Sequence, residues 1–122
     1  MEYLIRTLTP DDAQIRVYPS SVALNAAACK LLGIVQGDRV SFRTRTDIGM
    51  RVIYIGKSIN SIGVRVKSQK GRNGGYIYSS AVSCALADAL QGCGCYRICH
   101  ETPVQEDGTT LYEIFFRKFA NG

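Results

Sequence analysis

Apolar and polar residues alternate along this chain in short bursts. In QIRVYP (14–19), Ile15 and Val17 alternate with Arg16 and Tyr18, the two-residue period of a half-buried strand. Pro19 ends that burst and SSVAL resumes extended structure. Over 39–45, Val40 and Phe42 share one face and Arg39, Arg43 and Arg45 the other. TDIG (46–49) reads as a hairpin turn and 50–55 as the returning strand. A hairpin in which facing residue numbers add to 95 places Ile53 and Ile55 with Val40 and Phe42 on the core side. Met50, Val52 and Tyr54 then lie beside the arginines. IGVRVK (62–67) alternates again and YIYS (76–79) is a short strand. CYRICHE (95–101) and TLYEIFFRKF (110–119) are two more, joined by a polar loop, TPVQEDGT (102–109). Residues 1–8 alternate weakly, as an edge strand would.

Two stretches break the alternation. Asn25 can accept from the unpaired N–H groups of a first helical turn, and the good helix formers AAACKLL follow. Gly33 suits the left-handed position that ends such a helix. Ser79 or Ser80 caps a second helix over 80–91, with Val82, Leu86, Ala89 and Leu90 on one side. The pattern predicts a mainly β, α+β fold: two short helices among about eight strands. It also repeats, because strand, capped helix, turn, strand, hairpin and strand occur in that order twice. Sliding the chain on itself by 55 pairs Ala26 with Ala81 and Leu31 with Leu86, whereas a slide of 59 pairs Gly33 with Gly92. Two slides compete, so the repeat is suggestive in its elements and weak in its residues.

Charge sharpens the picture. Arg39 to Arg72 holds nine basic residues and one acid, Asp47, for a segment charge of +8, while the rest of the chain carries −3. A small domain with its charge separated in this way tends to meet a polyanion on its basic side. With 122 residues, 46% hydrophobic, the chain has room for one domain and one modest core. No apolar run approaches the roughly 18 residues of a membrane span. The five cysteines are odd in number and no export signal opens the chain, which points to free thiols in a reducing cytoplasm. Cys29 and Cys84 are expected to be buried on the two helices.

Other chemistry finds little support. Cys93, Cys95, Cys99 and His100 crowd into eight residues, yet a strand over 95–100 sends His100 to the face opposite Cys95 and Cys99. It also holds the two sulfurs about 13 Å apart, too far for one zinc ion. GMRVIYIGKS lacks the leading glycine of a phosphate loop, because Arg51 stands there. The single histidine has no readable nucleophile or carboxylate partner, so neither an enzyme nor a cofactor is expected. KSQKGRNGGYIY (67–78) sets Lys67, Lys70 and Arg72 beside Tyr76 and Tyr78, the cation-plus-aromatic mixture of single-strand binders.

LLGIVQGDRVSF (31–42) resembles the helix–turn–strand signature of AbrB-like domains, the swapped-hairpin DNA-binding modules of bacterial transition-state regulators and antitoxins. Leu32-Gly33-Ile34 and Gly37-Asp38 stand at the signature positions, and Val40 and Phe42 form its strand. Asn25 replaces the family's usual proline at the helix start. The resemblance covers about residues 21–55. It implies a small barrel in which two β-α-β-β units intertwine, here units 14–56 and 75–118 as a pseudo-dimer in one chain, although the second lacks the Gly-Asp turn. It further implies DNA contact by basic residues on strands and loops, as in a bacterial or mobile-element regulator.

The expected nucleic-acid-binding set is therefore Arg39, Arg43, Arg45, Arg51, Arg65, Lys67, Lys70 and Arg72, with Tyr54, Tyr76 and Tyr78 as candidates for base stacking. Duplex DNA is the favoured partner, with no membrane partner and self-association left open. The alternatives are a protein-interaction module that meets an acidic partner and a single-strand binder that stacks bases on tyrosine.

Overall fold

The computed structural model describes residues 8–59, 62–68 and 73–117. The expected strand at 1–8, all but Leu8, and the expected contacts Lys70 and Arg72 lie outside the described residues. The elements run β1 (Gln14–Val17), β2 (Val22–Leu24), α1 (Ala26–Leu32), β3 (Arg39–Asp47), β4 (Met50–Lys57), β5 (Val64–Arg65), β6 (Gly75–Ile77), α2 (Ser80–Ala89), β7 (Gly94–Glu106) and β8 (Thr109–Ile114). The eight strands form one antiparallel sheet, in the order β5-β3-β4-β8-β7-β1-β2-β6. Its two outermost strands approach each other where Lys67 and Tyr76 exchange backbone hydrogen bonds of 2.8 and 2.7 Å. The sheet thus nearly closes into a small barrel.

The ring has a two-fold pattern. Exchanging β1 to β4 with β5 to β8 leaves every neighbour relation unchanged, once the Lys67–Tyr76 bridge is taken as closing the ring. The helix caps at Asn25 and Ser79 lie 54 residues apart, whereas the hairpin glycines Gly49 and Gly108 lie 59 apart. α1 has seven residues and α2 has ten, and this difference supplies most of the shift. One slide therefore suits the helices and another the hairpins, which is why no single register aligns the two halves.

The alternation does what its period demands. Ile15, Val17, Val22, Leu24, Val40, Ile53, Ile55, Ile77, Ile98 and Ile114 are buried in one cluster with Tyr96. Burying each such aliphatic side chain contributes about 1.5–3 kcal/mol of transfer free energy. Ala28 and Leu32 from α1 and Leu86 from α2 join the same cluster. Asn25 caps α1 by accepting from Ala28 N–H at 2.9 Å. It also ties the helix to β1, accepting from Gln14 N–H at 3.0 Å and donating to the Asp12 carbonyl at 2.7 Å. Gly33 ends α1 with φ 70°. The Gly37-Asp38 turn is then pinned to the strand region beyond β5: Gly37 N–H donates to the Val66 carbonyl and Val66 N–H to the Asp38 carbonyl. The Asp38 carboxylate accepts from Val35 N–H at 2.9 Å, so the turn closes on itself before β3 begins.

Four expectations need correction. Facing residues in the β3–β4 hairpin add to 97, not 95, because the turn consists only of Ile48 and Gly49. A slip of two preserves each side chain's face, so the assignment of core and outer residues stands. TPVQED is strand rather than loop: β7 continues to Glu106 through a register shift between Cys99 and Val104, and Asp107-Gly108 makes the turn. Pro103 falls inside that shift, where the ladder does not need its missing N–H. The 62–67 strand is reduced to β5 and the bridge at Lys67. Cys84 is exposed and Cys29 half-buried. α2 turns Ser83 and Leu86 inward instead, and the Ser83 hydroxyl donates to the Tyr18 carbonyl.

Candidate nucleic-acid interface

The expected cations fall into three groups. Arg43 and Arg45 project from the outer face of β3, opposite Tyr54 and Val52 of β4. Neither stands alone. Arg43 pairs with Glu106 at 2.6 Å, Arg45 lies 3.8 Å from the same carboxylate, and its guanidinium sits 5.6 Å from the Tyr54 ring centre. Glu106 belongs to the tip of the β7–β8 hairpin, so this pair joins the two halves of the ring. Glu113 faces Tyr54 from β8 and adds a second carboxylate nearby.

The second group lies where the ring closes. Arg39 and Arg65 are cross-strand neighbours on β3 and β5. Arg39 donates to the Gly63 carbonyl at 3.0 Å, which holds its side chain along the surface. Val66 is buried, so Arg65 and Lys67 on either side of it point outward, and both are exposed. Neither makes an ion pair among the described residues. The bridge partner of Lys67 is Tyr76, whose ring stacks on that of Tyr78 at 6.0 Å with an interplanar angle of 14°. Gly75 and Ile77 are buried, so the two tyrosines share the outward side, and Tyr78 is 54% exposed. Gly75 could not be replaced without moving the barrel wall, because an added Cβ would lie 2.5 Å from Val66 Cγ1. The close approach that seats Tyr76 beside Lys67 thus depends on that glycine.

Arg51 forms the third group. It sits on the face of β4 that carries Ile53 and Ile55, opposite the other arginines, but beyond the end of the core and therefore exposed. The structure brings Arg39, Arg65, Lys67, Tyr76 and Tyr78 onto one outward strip. It sets Arg43, Arg45 and Tyr54 further along β3, partly neutralised, and separates Arg51 from both. The pairing with Glu106, 63 residues away in sequence, carries no local signal.

The thiols are dispersed. All five are free; Cys95 is buried, and burial pushes the pKa of Cys29, Cys95 and Cys99 above the ordinary thiol value, disfavouring the thiolate. Cys95 Sγ donates to Gln14 Oε1 at 3.1 Å. Among the described residues no group of three or more His, Cys, Asp or Glu side chains converges as a metal site would require. A hydrogen bond from Arg97 lowers the Glu101 carboxyl and is the main cause of the raised Arg97 value. An apolar groove of about 390 Å3 opens between β3 and α2, lined by Phe42, Val64, Val82 and Leu86 among others. Among the described residues, no helix is long and apolar enough to cross a membrane.

No protein-family model matches the chain, and neither any curated protein nor any solved structure shows significant similarity to it.

Proposed function

We propose that this protein is a non-enzymatic nucleic-acid-binding module that grips backbone phosphates along the β3–β5–β6 strip, with duplex DNA the favoured ligand. The observation that carries this reading is Arg65 and Lys67, exposed and without ion pairs among the described residues, set beside Arg39 at the closure of the ring. The outward side of β3, β5 and the bridge holds five cations, Arg39, Arg43, Arg45, Arg65 and Lys67, against the carboxylates Glu106 and Glu113. On β3, Arg43 and Arg45 lie about 7 Å apart, twice the strand rise, close to the phosphate spacing along one DNA strand, and Arg39 lies about 13 Å before Arg43. The likeness of residues 21–55 to AbrB-like regulators favours the same partner.

The Tyr76–Tyr78 stack favours a second reading, a single-strand binder that lays bases on the exposed Tyr78 ring. Gel-shift titrations with duplex and single-stranded DNA at several salt concentrations separate the two. Each phosphate contact on duplex DNA adds about −0.9 to the log–log salt slope. Replacing Arg65 and Lys67 together by Ala should make the slope shallower by about two units. The Arg43→Ala, Arg45→Ala pair should change it less, because Glu106 already neutralises part of that charge. A preference for single strands that Tyr78→Ala abolishes would select the stacking reading. Absence of any shift at low salt would discard nucleic acid in favour of an acidic protein partner.

A further inference from the structure

The β3–β4 hairpin outruns the barrel. β4 pairs with β8 only over Ile53–Gly56, and β3 pairs with β5 only at Arg39 and Val40. Beyond the Thr44–Ile53 row, residues 45–52 pair only with each other among the described residues. From Thr44 to the turn this two-stranded arm runs about 13 Å at the strand rise, and on its β4 side Met50, Arg51 and Val52 line a pocket with Leu90, Phe115 and Phe116.

The tip of the arm breaks the rules that the rest of the chain obeys. Ile48 is 96% exposed and has φ 49°, a left-handed conformation that β-branched residues avoid. Met50, on the next strand position, is 54% exposed. The equivalent turn in the second hairpin has the same backbone signs, φ 52° and 79°, and fills them with Asp107-Gly108, as such turns usually require. An unfavourable backbone position that presents a large apolar side chain to water is the pattern expected of a contact residue. The two cations nearest it lie on opposite faces: Arg45 is paired across from Val52, while Arg51, across from Thr46, faces the other way. Asp47 is the one acid of the arm in sequence.

We infer that this arm is a DNA wedge. Ile48, backed by Met50, inserts at a flexible pyrimidine–purine step, while Arg45 and Arg51 straddle it to meet the phosphates on either side. This inference rests on the nucleic-acid reading above and adds a mode of binding to it. Apolar side chains that enter base steps from the minor groove unstack them and kink the duplex. The groove is about 7.5 Å deep, within the reach of the arm. An exposed apolar tip flanked by cations also suits an anionic membrane surface, but Arg65 and Lys67, without ion pairs among the described residues and set beside Arg39, favour DNA on the reading above.

The test uses the full chain and a duplex rich in TA steps, with 2-aminopurine at one such step and a dye pair at its ends. At saturating protein the wild type should raise 2-aminopurine fluorescence and shorten the end-to-end distance, as a kink of about 20–90° requires. Ile48→Asn with Met50→Ser should abolish both signals. The salt slope should stay unchanged, because no cation has been removed. Both residues are exposed and Asn accepts the left-handed turn, so the fold should survive, which circular dichroism checks. A wild type that binds with a steep salt slope but neither unstacks nor bends DNA would refute the wedge and leave the nucleic-acid reading standing. So would a double variant that still bends it. A wild type that fails to bind DNA would refute both. If that protein sediments with phosphatidylserine vesicles and the double variant does not, the tip is a membrane wedge instead.

Discussion

The stability of Ile48→Asn isolates the backbone cost at the arm's tip. A non-glycine residue held in the left-handed region costs about 1–3 kcal/mol, and a β-branched side chain falls at the upper part of that range. Ile48 is 96% exposed, so it returns almost no burial energy to offset that cost. Asn tolerates this conformation, and Asn-Gly is the preferred pair for a two-residue turn in which both φ values are positive, here 49° and 76°. Removing the penalty should therefore raise stability by about 1 kcal/mol. In urea the midpoint should move up with an unchanged slope, and by calorimetry the melting temperature should rise by about 3–5 °C for a chain of this size. The mirror experiment is Asp107→Ile at the other hairpin, which should lose a similar amount. If Ile48→Asn is neutral within about 0.3 kcal/mol, or destabilising, the turn does not carry the strain assigned to it.

Two further measurements probe the scaffold. Asn25→Ala removes a helix cap and two bonds that tie α1 to the segment at 12–14, so it should cost about 2–3 kcal/mol in urea unfolding; a loss below about 1 kcal/mol would show that the hub is dispensable. Ellman's reagent on the native protein should titrate Cys84 and Cys93 quickly, the half-buried Cys29 and Cys99 more slowly and Cys95 only on unfolding, so a Cys95 that reacts in the native protein would contradict its burial. The raised pKa values of Cys29, Cys95 and Cys99 have a matching pH signature. Below the unfolded thiol value, about 8.5, both states hold these protons and stability does not depend on them; as pH rises from there through the folded values, only the unfolded state ionises and stability falls.

Where one face of a strand was dry, the sequence disclosed it. Ile15 and Val17, Val40 and Phe42, and Ile53 and Ile55 announce their inward side by alternation. Asn25 and Gly33 mark the ends of α1 by chemistry that few other residues supply. Alternation fixes the parity of a strand, however, and not its register, and for this reason the hairpin slipped by two without moving a side chain across the sheet. The end of β7 was invisible for a related reason. Residues 101–106 are mostly exposed, so no alternation survives and Thr102-Pro103 reads as a loop. On α2, burial of Ser83 instead of Cys84 depends on the Tyr18 carbonyl, 65 residues distant, waiting for a hydroxyl. The basic segment was legible as composition. Its division into a strip without ion pairs, a neutralised pair and a separate Arg51 was not, because Glu106 arrives from the other half of the chain.

That division follows from holding both halves in one polypeptide. In a symmetric dimer of identical units, whatever one hairpin presents the other must present as well. Here the two halves occupy equivalent places in the ring and carry different arms. The first ends in Ile48, flanked by Arg45 and Arg51. The second ends in Glu106 and Asp107, and Glu106 reaches back to Arg43 and Arg45 at the base of the first. An acidic second arm would repel a polyanion, so two equal DNA contacts across the axis are disfavoured. Folded back on Arg43 and Arg45, the same carboxylate braces the first arm and lowers the charge along its base. The cations without that brace are Arg65 and Lys67 at the ring closure and, on the opposite face of the hairpin, Arg51 near the tip. On the proposed reading, an elongated ligand is held at the strip and met by the wedge, with one orientation on the protein rather than two.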